Sequence, residues 1–385
     1  MRILYFGIYS KGIEYPRNRN LISSLRKNDA SVKEIHYQLV GSFKERIELL
    51  KGDKKAFRFI QGLVASYFDL SRRFLKTQEA DAVIVGHPGY FHLHLAWLLT
   101  RFSQRKALLI YDAFIPLYEM VVEDRKLIQK NSLLARMIQW LESSSLSLCD
   151  LCLVDTHAHG KYLSEKYGET PKKMVRALVG STIRKKNAGS PSRAATRDLF
   201  SVLFVGTYIP LHGIDVIIEA ANLLKNDPSI RFTLVGNGQL QASMKGLAEQ
   251  WCLKNILFYN WIDTEQLYET IRVSDLSLGV FGVSSKTSRV IPSKIYDICE
   301  AGVPFITADT PAIREIFHHK ENAYLIPPGD PNALSQAIKE LQKNHALRAK
   351  ISQGATRTGE THFSLNSIGR RLVFDIQKKK SKNNF

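Results

Sequence analysis

The sequence predicts an α/β protein of two domains, each a doubly wound parallel sheet. Three observations predict it. The chain has 385 residues, long for one core when domains usually run roughly 100 to 200 residues. Short apolar runs alternate with amphipathic stretches throughout, the pattern of βαβ units. A polar, basic interval, Ser181–Arg197, interrupts that alternation once before it restarts.

Ile3–Phe6, Ala82–Val85, Ala107–Tyr111 and Leu151–Val154 are continuously apolar, as strands covered on both faces are. Between them Arg17–Arg26, Phe91–Phe102 and Leu133–Leu148 carry helical periodicity. The interval 181–197 has none and reads as the linker. Beyond it Ser201–Val205 is a strand, and Ile214–Leu224 is a helix with Ile214, Ile217, Ile218, Ala221 and Leu224 on one face. Arg231–Val235, Ile256–Tyr259, Leu276–Val280 and Pro304–Thr307 are further strands. Asp263 and Gln266 fit a capping box opening a helix with Leu267 and Ile271. Helices at Ala312–Phe317 and Pro331–Gln342 follow. The expected domains are 1–185 and 199–361, joined by a linker at 186–198, with a last helix at 362–380 packing back on the first domain.

Apolar residues make up 44% of the chain and charged residues 23%, which suits a globular protein and excludes disorder over most of its length. The net charge is +18. A solvated basic surface, a nucleic acid, an anionic membrane surface and phosphorylated substrates all remain open as its cause. The basic residues do not form one arm, which argues against a nucleic-acid tail. There is no charged-then-apolar leader and no run of roughly 20 apolar residues. With Cys149, Cys152, Cys252 and Cys299 as the four cysteines, the expectation is a cytoplasmic protein with free thiols. Cys149 and Cys152 followed by His157 and His159 imitate a metal site. Cys152 lies inside the strand-like run 151–154, so a buried thiol is the expected reading and no metal is called for.

From Val202 to about Leu341 the motifs come in a telling order. Val202-Leu-Phe-Val-Gly206 leads to His212-Gly-Ile-Asp215, and Phe232-Thr-Leu-Val-Gly-Asn-Gly238 follows. Then come Lys294-Ile-Tyr-Asp-Ile-Cys-Glu-Ala-Gly-Val-Pro304, Pro304-Phe-Ile-Thr-Ala-Asp309 with Glu315, and Leu325-Ile-Pro-Pro-Gly-Asp330-Pro. This succession resembles the carboxyl-terminal domain of family-4 retaining glycosyltransferases, which have the GT-B fold. The resemblance implies two Rossmann-like domains whose parallel sheets face a cleft, and a nucleotide-sugar donor held by the second. It also implies that the amino-terminal half meets a glycan or lipid-linked acceptor.

By this resemblance Asp297, at the second acidic position of the family's E-x7-E motif, accepts hydrogen bonds from the donor ribose. Lys294, near the positive end of a helix opening at Pro292-Ser293, meets the pyrophosphate. The two residues are three apart and share a helix face, so a surface ion pair between them is the competing reading. Arg289 stands where the family has its first glutamate, and Thr207 and His212 stand where it has an arginine and a lysine. Lys286, Arg289 and Lys294 are then the cations left to compensate. Gly206 belongs to the same donor loop. Trp261 lies where relatives approach the base, or else in the core.

In the first half Asp112 ends the strand 108–111 and is the candidate to orient or deprotonate the acceptor hydroxyl; capping a loop is its alternative. Arg17 and Arg19 follow the first strand and either meet donor phosphates or an anionic acceptor, or simply start a helix. His87, His92, His94, His157 and His159 gather near strand ends and read as structural. Between Lys44 and Lys76 nine basic residues outnumber four acids, interleaved with Phe57, Phe59, Ile60, Leu63, Val64, Tyr67, Phe68 and Leu70. Such a helix lies on anionic lipid or packs on the sheet. The expected activity is retaining transfer of a sugar from a nucleotide-diphosphate sugar, without cofactor, metal or nucleic acid, in cell-surface polysaccharide assembly. A GT-B-fold epimerase and a non-catalytic nucleotide-sugar-binding protein are the alternatives.

Overall fold

A computed structural model describes residues 1–12, 16–39, 53–103, 107–124, 127–183 and 199–383, apart from the side chains of 53–58, 124, 264, 265 and 383. The chain divides into two compact units: Met1–Val179 with Leu365–Phe385, and Gly180–Ser364.

In the first unit six strands form one parallel sheet in the order β2-β1-β3-β4-β5-β6. They are β1 (Arg2–Gly7), β2 (Ser31–His36), β3 (Ala82–Val85), β4 (Leu108–Asp112), β5 (Leu151–Val154) and β6 (Met174–Arg176). The four central strands are the continuously apolar runs, buried on both faces because helices cover both. Those helices include α1 (Pro16–Arg26), α2 (Asp53–Leu75), α3 (Leu93–Phe102), α4 (Leu133–Leu148) and α5 (His157–Tyr167).

The second unit repeats the architecture in the order β12-β11-β10-β7-β8-β9, again parallel. Its strands are β7 (Phe200–Val205), β8 (Ile230–Val235), β9 (Ile256–Tyr259), β10 (Leu276–Leu278), β11 (Phe305–Ala308) and β12 (Tyr324–Ile326). Its helices are α6 (Ile214–Leu223), α7 (Gln241–Gln250), α8 (Thr264–Arg272), α9 (Ser293–Ala301), α10 (Pro311–Arg314), α11 (Pro331–Lys343) and α12 (His345–Thr358). Ile217 and Ile218 of α6 and Ile338 of α11 close on Phe204, Phe232 and Leu234 of the sheet. The last helix, α13 (Leu365–Asn383), packs along α1 in the first unit. The approach is close enough that a Cβ on Gly369 would fall 2.0 Å from the Ser24 carbonyl oxygen.

Three strands have no counterpart among the apolar runs. β2 and β12 lie at sheet edges, and β6 is a three-residue edge strand. In β2, Ser31–Glu34 alternate exposed and half-buried positions and only Ile35 is fully buried, as befits a strand at the sheet edge. Asp263 does occupy the N-cap of α8, but its side chain makes no capping bond. The helix expected at 312–317 is the four-residue α10, whose start Thr310 caps by accepting from the Ile313 N–H. The expected linker 186–198 lies outside the described residues. Gly180–Ile183 groups with the second unit because the Asp297 carboxylate holds it there. Among the described residues no helix is long and apolar enough to cross a membrane.

Candidate functional site

At the carboxyl ends of β7, β8 and β10 three loops meet, the place where open α/β sheets bind ligands. The turn after β7, Gly206–Tyr208, is laced to the turn after β8: Gly206 N–H donates to the Val235 carbonyl at 2.9 Å and Tyr208 N–H to the Asn237 carbonyl at 3.0 Å. Gly236 has φ of +142°, and a Cβ there would come within 2.0 Å of the Gly206 oxygen. Only glycine permits that backbone and that approach. The loop after β10 is pinned in turn, since Phe281 N–H donates to the His212 carbonyl at 3.1 Å.

Into this junction reaches Lys294, from the first turn of α9. Its side chain is only 8% exposed. Its Nζ lies 3.7 Å from the centroid of the Phe204 ring and has no hydrogen-bond partner. A Cβ on Gly206 would sit 2.5 Å from that Nζ and 3.2 Å from His212 Cε1, so Gly206, His212 and Lys294 share one small volume. Burial pushes the Lys294 pKa well below the ordinary lysine value. Burial, and then the Lys294 charge, push His212 well down, against the hydrogen bond of its Nδ1 to the Thr207 carbonyl. An unpaired buried ammonium is costly unless a counter-charge arrives. The N-terminus of α9 adds to the demand, because its N-cap is Pro292 and no side chain caps it. Ser293, the first helical residue, is exposed beside it.

Of the other donor-site expectations, Thr207 is exposed, and Lys286 and Arg289 are half-buried around the short 3-10 turn Thr287–Arg289. Trp261 is 54% exposed between β9 and α8, which excludes the core reading. The competing reading, an ion pair of Lys294 with Asp297, does not hold. Asp297 Oδ1 accepts from Ser181 Oγ at 2.8 Å, from the Thr182 N–H at 2.7 Å and from Thr182 Oγ1 at 3.0 Å. Burial holds the Asp297 pKa above the carboxylate norm despite those donors. A carboxylate so occupied latches the segment entering the unit, a partnership the ribose expectation did not include. Its local clue was the hydroxyl pair Ser181-Thr182 at the head of the polar interval.

In the first unit two of the expected site residues come together. Asp112 and Arg17 are buried, 0% and 1% exposed, and bind each other: Arg17 Nε lies 3.1 Å from both carboxylate oxygens and Nη2 2.8 Å from Oδ1. Arg17 Nη1 donates to the Ala177 carbonyl. Burial opposes the Arg17 cation but Asp112 outweighs it, so the Arg17 pKa rises, while burial pushes the Asp112 carboxyl up against the pull of the Arg17 charge. The pair ties the first turn of α1 to the end of β4. Arg19, two residues on, is half-buried.

The histidines are structural where their partners are seen. His159 Nδ1 meets Asp155 at 2.7 Å, His94 meets Ser144 at 2.9 Å, and His92 meets Ser66 at 2.9 Å, its pKa lowered by burial to about 4. Cys149, Cys152 and Cys299 are buried thiols, Cys252 is exposed, and none forms a disulfide. Among the described residues no three His, Cys, Asp or Glu side chains gather as a metal site would require.

Two Rossmann-like units of six parallel strands each define the GT-B class of fold. The comparisons agree. Residues 190–358 match the family model "Glycosyl transferases group 1". The solved structure of Anabaena Alr3699/HepE in complex with UDP-glucose superposes with a TM-score of 0.68 at 14% identity, covering 98% of this chain and 100% of that one. A putative colanic acid biosynthesis glycosyl transferase, WcaI of Escherichia coli, is 30% identical over 181 residues, 46% of this chain and 42% of that protein. The chitobiosyldiphosphodolichol beta-mannosyltransferase of Debaryomyces hansenii is 25% identical over 185 residues, 44% of this chain and 39% of that protein. The chain thus spans less than half the length of these curated relatives.

Proposed function

We propose that the chain is a glycosyltransferase that moves a sugar from a nucleotide-diphosphate sugar to a lipid-linked acceptor glycan, in the assembly of a cell-surface polysaccharide. One observation carries the reading: the buried, unpartnered ammonium of Lys294 beside Gly206 and the uncapped start of α9. A departing diphosphate gains negative charge as the sugar leaves, and fixed donors and cations aimed at it lower that barrier. The match to group 1 glycosyl transferases over the same unit supports it. So does Alr3699/HepE, which was crystallised with UDP-glucose.

The reaction is transfer with retained configuration. The bond from the anomeric carbon to the phosphate oxygen breaks, and a bond to the acceptor oxygen forms on the same face. The hydroxyl proton passes to the leaving phosphate. No strong protein base is required, in keeping with an Asp112 carboxylate taken up by Arg17. Free thiols suit a reducing compartment, and we place the protein in the cytoplasm.

The test is a thermal-shift series of the full chain with UDP-, GDP-, ADP- and dTDP-sugars. Donor at about 100 times its Kd stabilises by roughly 2.7 kcal/mol. One base should raise the Tm, and Lys294→Met should abolish the rise. No rise with any of the four sinks the proposal, and sugar conversion without acceptor would favour an epimerase.

A further inference from the structure

Three neighbouring helices of the first unit leave their outer sides bare. α2 packs beside α3, and α3 beside α4. Of the basic stretch 44–76, residues 44–52 lie outside the described residues. The remainder of α2 buries Leu70 and Phe74 in the unit while Ile60, Val64 and Phe68, spaced by four, form an exposed row. One side of the helix thus packs on the unit and the other is left uncovered. The two neighbouring helices carry uncovered apolar side chains as well. Phe102 on α3, with Leu133 and Trp140 on α4, is as uncovered as Phe68, all four being between 68% and 77% exposed. Single exposed apolar residues are ordinary; a continuous set on adjacent helices marks an interaction surface.

The arginines say what covers it. Arg72 follows Phe68 by four. Arg101 follows Trp97 by four and Leu98 by three. Arg136 follows Leu133 by three and precedes Trp140 by four. At these spacings each guanidinium shares the face of its apolar neighbours. Among the described residues none of the three is paired with a carboxylate. α3 has no acidic residue, and the single one of α4, Glu142, is buried. A second copy of this chain would bring a face with these same arginines and no free carboxylate of α3 or α4 to match them, and protein interfaces exclude charge from their centres. A bilayer accepts the combination, with rings and aliphatic chains at the acyl boundary and arginines reaching to lipid phosphates.

We infer that the α2–α3–α4 face lies on an anionic lipid surface, with Phe68, Phe102, Leu133 and Trp140 entering it and Arg72, Arg101 and Arg136 binding its phosphates. This surface needs neither donor nor turnover, so it stands apart from the transfer reading.

The experiment is co-sedimentation of the full chain with phosphatidylglycerol–phosphatidylcholine vesicles and with pure phosphatidylcholine vesicles, followed by tryptophan emission. Each arginine near a charged surface contributes about a five-fold factor, so the preference for anionic vesicles should be on the order of 100-fold. It should fade at high salt, and free inorganic phosphate should not displace the vesicles. Emission should shift to the blue, and Trp140→Phe should reduce the shift. Leu133→Asp with Trp140→Asp should lower anionic-vesicle binding at least ~10-fold with the Tm and donor titration unchanged. Arg101→Gln with Arg136→Gln should remove most of the anionic preference. Absence of binding to anionic vesicles at low salt overturns the inference. So does binding without an emission shift, and so does a dimer in ultracentrifugation that Leu133→Asp with Trp140→Asp dissociates.

Discussion

Lys294 Nζ stands over the Phe204 ring, 3.7 Å from its centroid, with no hydrogen-bond acceptor in reach. A cation over an aromatic face gains about 0.5–2 kcal/mol. Withdrawing an ammonium from water costs several kcal/mol. The ring therefore offsets part of the cost, and an anion would offset the rest.

Lys294→Met keeps the length of the side chain and removes the charge. Without ligand the variant should be more stable than the parent by roughly 1–2 kcal/mol, measured by denaturant unfolding. Donor affinity should fall at least ~10-fold, measured by titration. A less stable variant with unchanged donor affinity would contradict the anion-site reading.

The same lysine predicts a pH dependence. Its folded pKa is depressed below the unfolded value, near 10.4, so in that window the unfolded chain holds more protons. Stability of the ligand-free protein should therefore rise with pH up to about 10.4. The slope should be flatter in Lys294→Met. A bound diphosphate raises the lysine pKa again, so donor binding should take up a proton. Calorimetry in buffers of different ionisation enthalpy measures that uptake, and a zero value counts against the contact.

Two glycines separate site from scaffold. Gly206→Ala places its methyl against the mobile end of Lys294, 2.5 Å from Nζ. The lysine can swing away, so stability should change by less than ~1 kcal/mol while donor affinity drops. Gly236→Ala meets the Gly206 carbonyl at 2.0 Å, in backbone at φ +142°. It should cost more than ~2 kcal/mol and lower the Tm whether or not donor is present. Equal behaviour of the two variants would refute the distinction.

Arg17→Met or Asp112→Asn leaves one member of a buried pair unpaired, at a cost of roughly 3–5 kcal/mol. The double variant Arg17→Met with Asp112→Leu should recover most of that stability. A catalytic Asp112 predicts otherwise: Asp112→Asn would fold normally and lose turnover. Chemical denaturation of the three variants distinguishes the two.

Sequence pattern alone recovered the strands buried on both faces and the edge strand β9, and missed the edge strands β2, β6 and β12. β3, for example, is Ala-Val-Ile-Val with every residue buried, so its composition is dictated by its surroundings. β2 has a single fully buried residue, Ile35, and composition there carries little signal. At the site, Lys294 and Gly206 were legible because their run of motifs is continuous along the chain. Arg17 with Asp112 was not, since the partners are 95 residues apart and no local spacing relates them. The duty of Asp297 was likewise hidden, its donors lying 115 and 116 residues earlier.

The sequence by itself determined two α/β units, their parallel sheets and the helix start that carries the cation. Those features follow from periodicities of two and 3.6 residues and from short runs of glycine and proline. Only the tertiary structure decided which charged groups stay available to a ligand. Partnership between distant side chains is settled by packing, which buried Arg17 against Asp112 and Asp297 against Ser181 and Thr182, and left Lys294 unmatched.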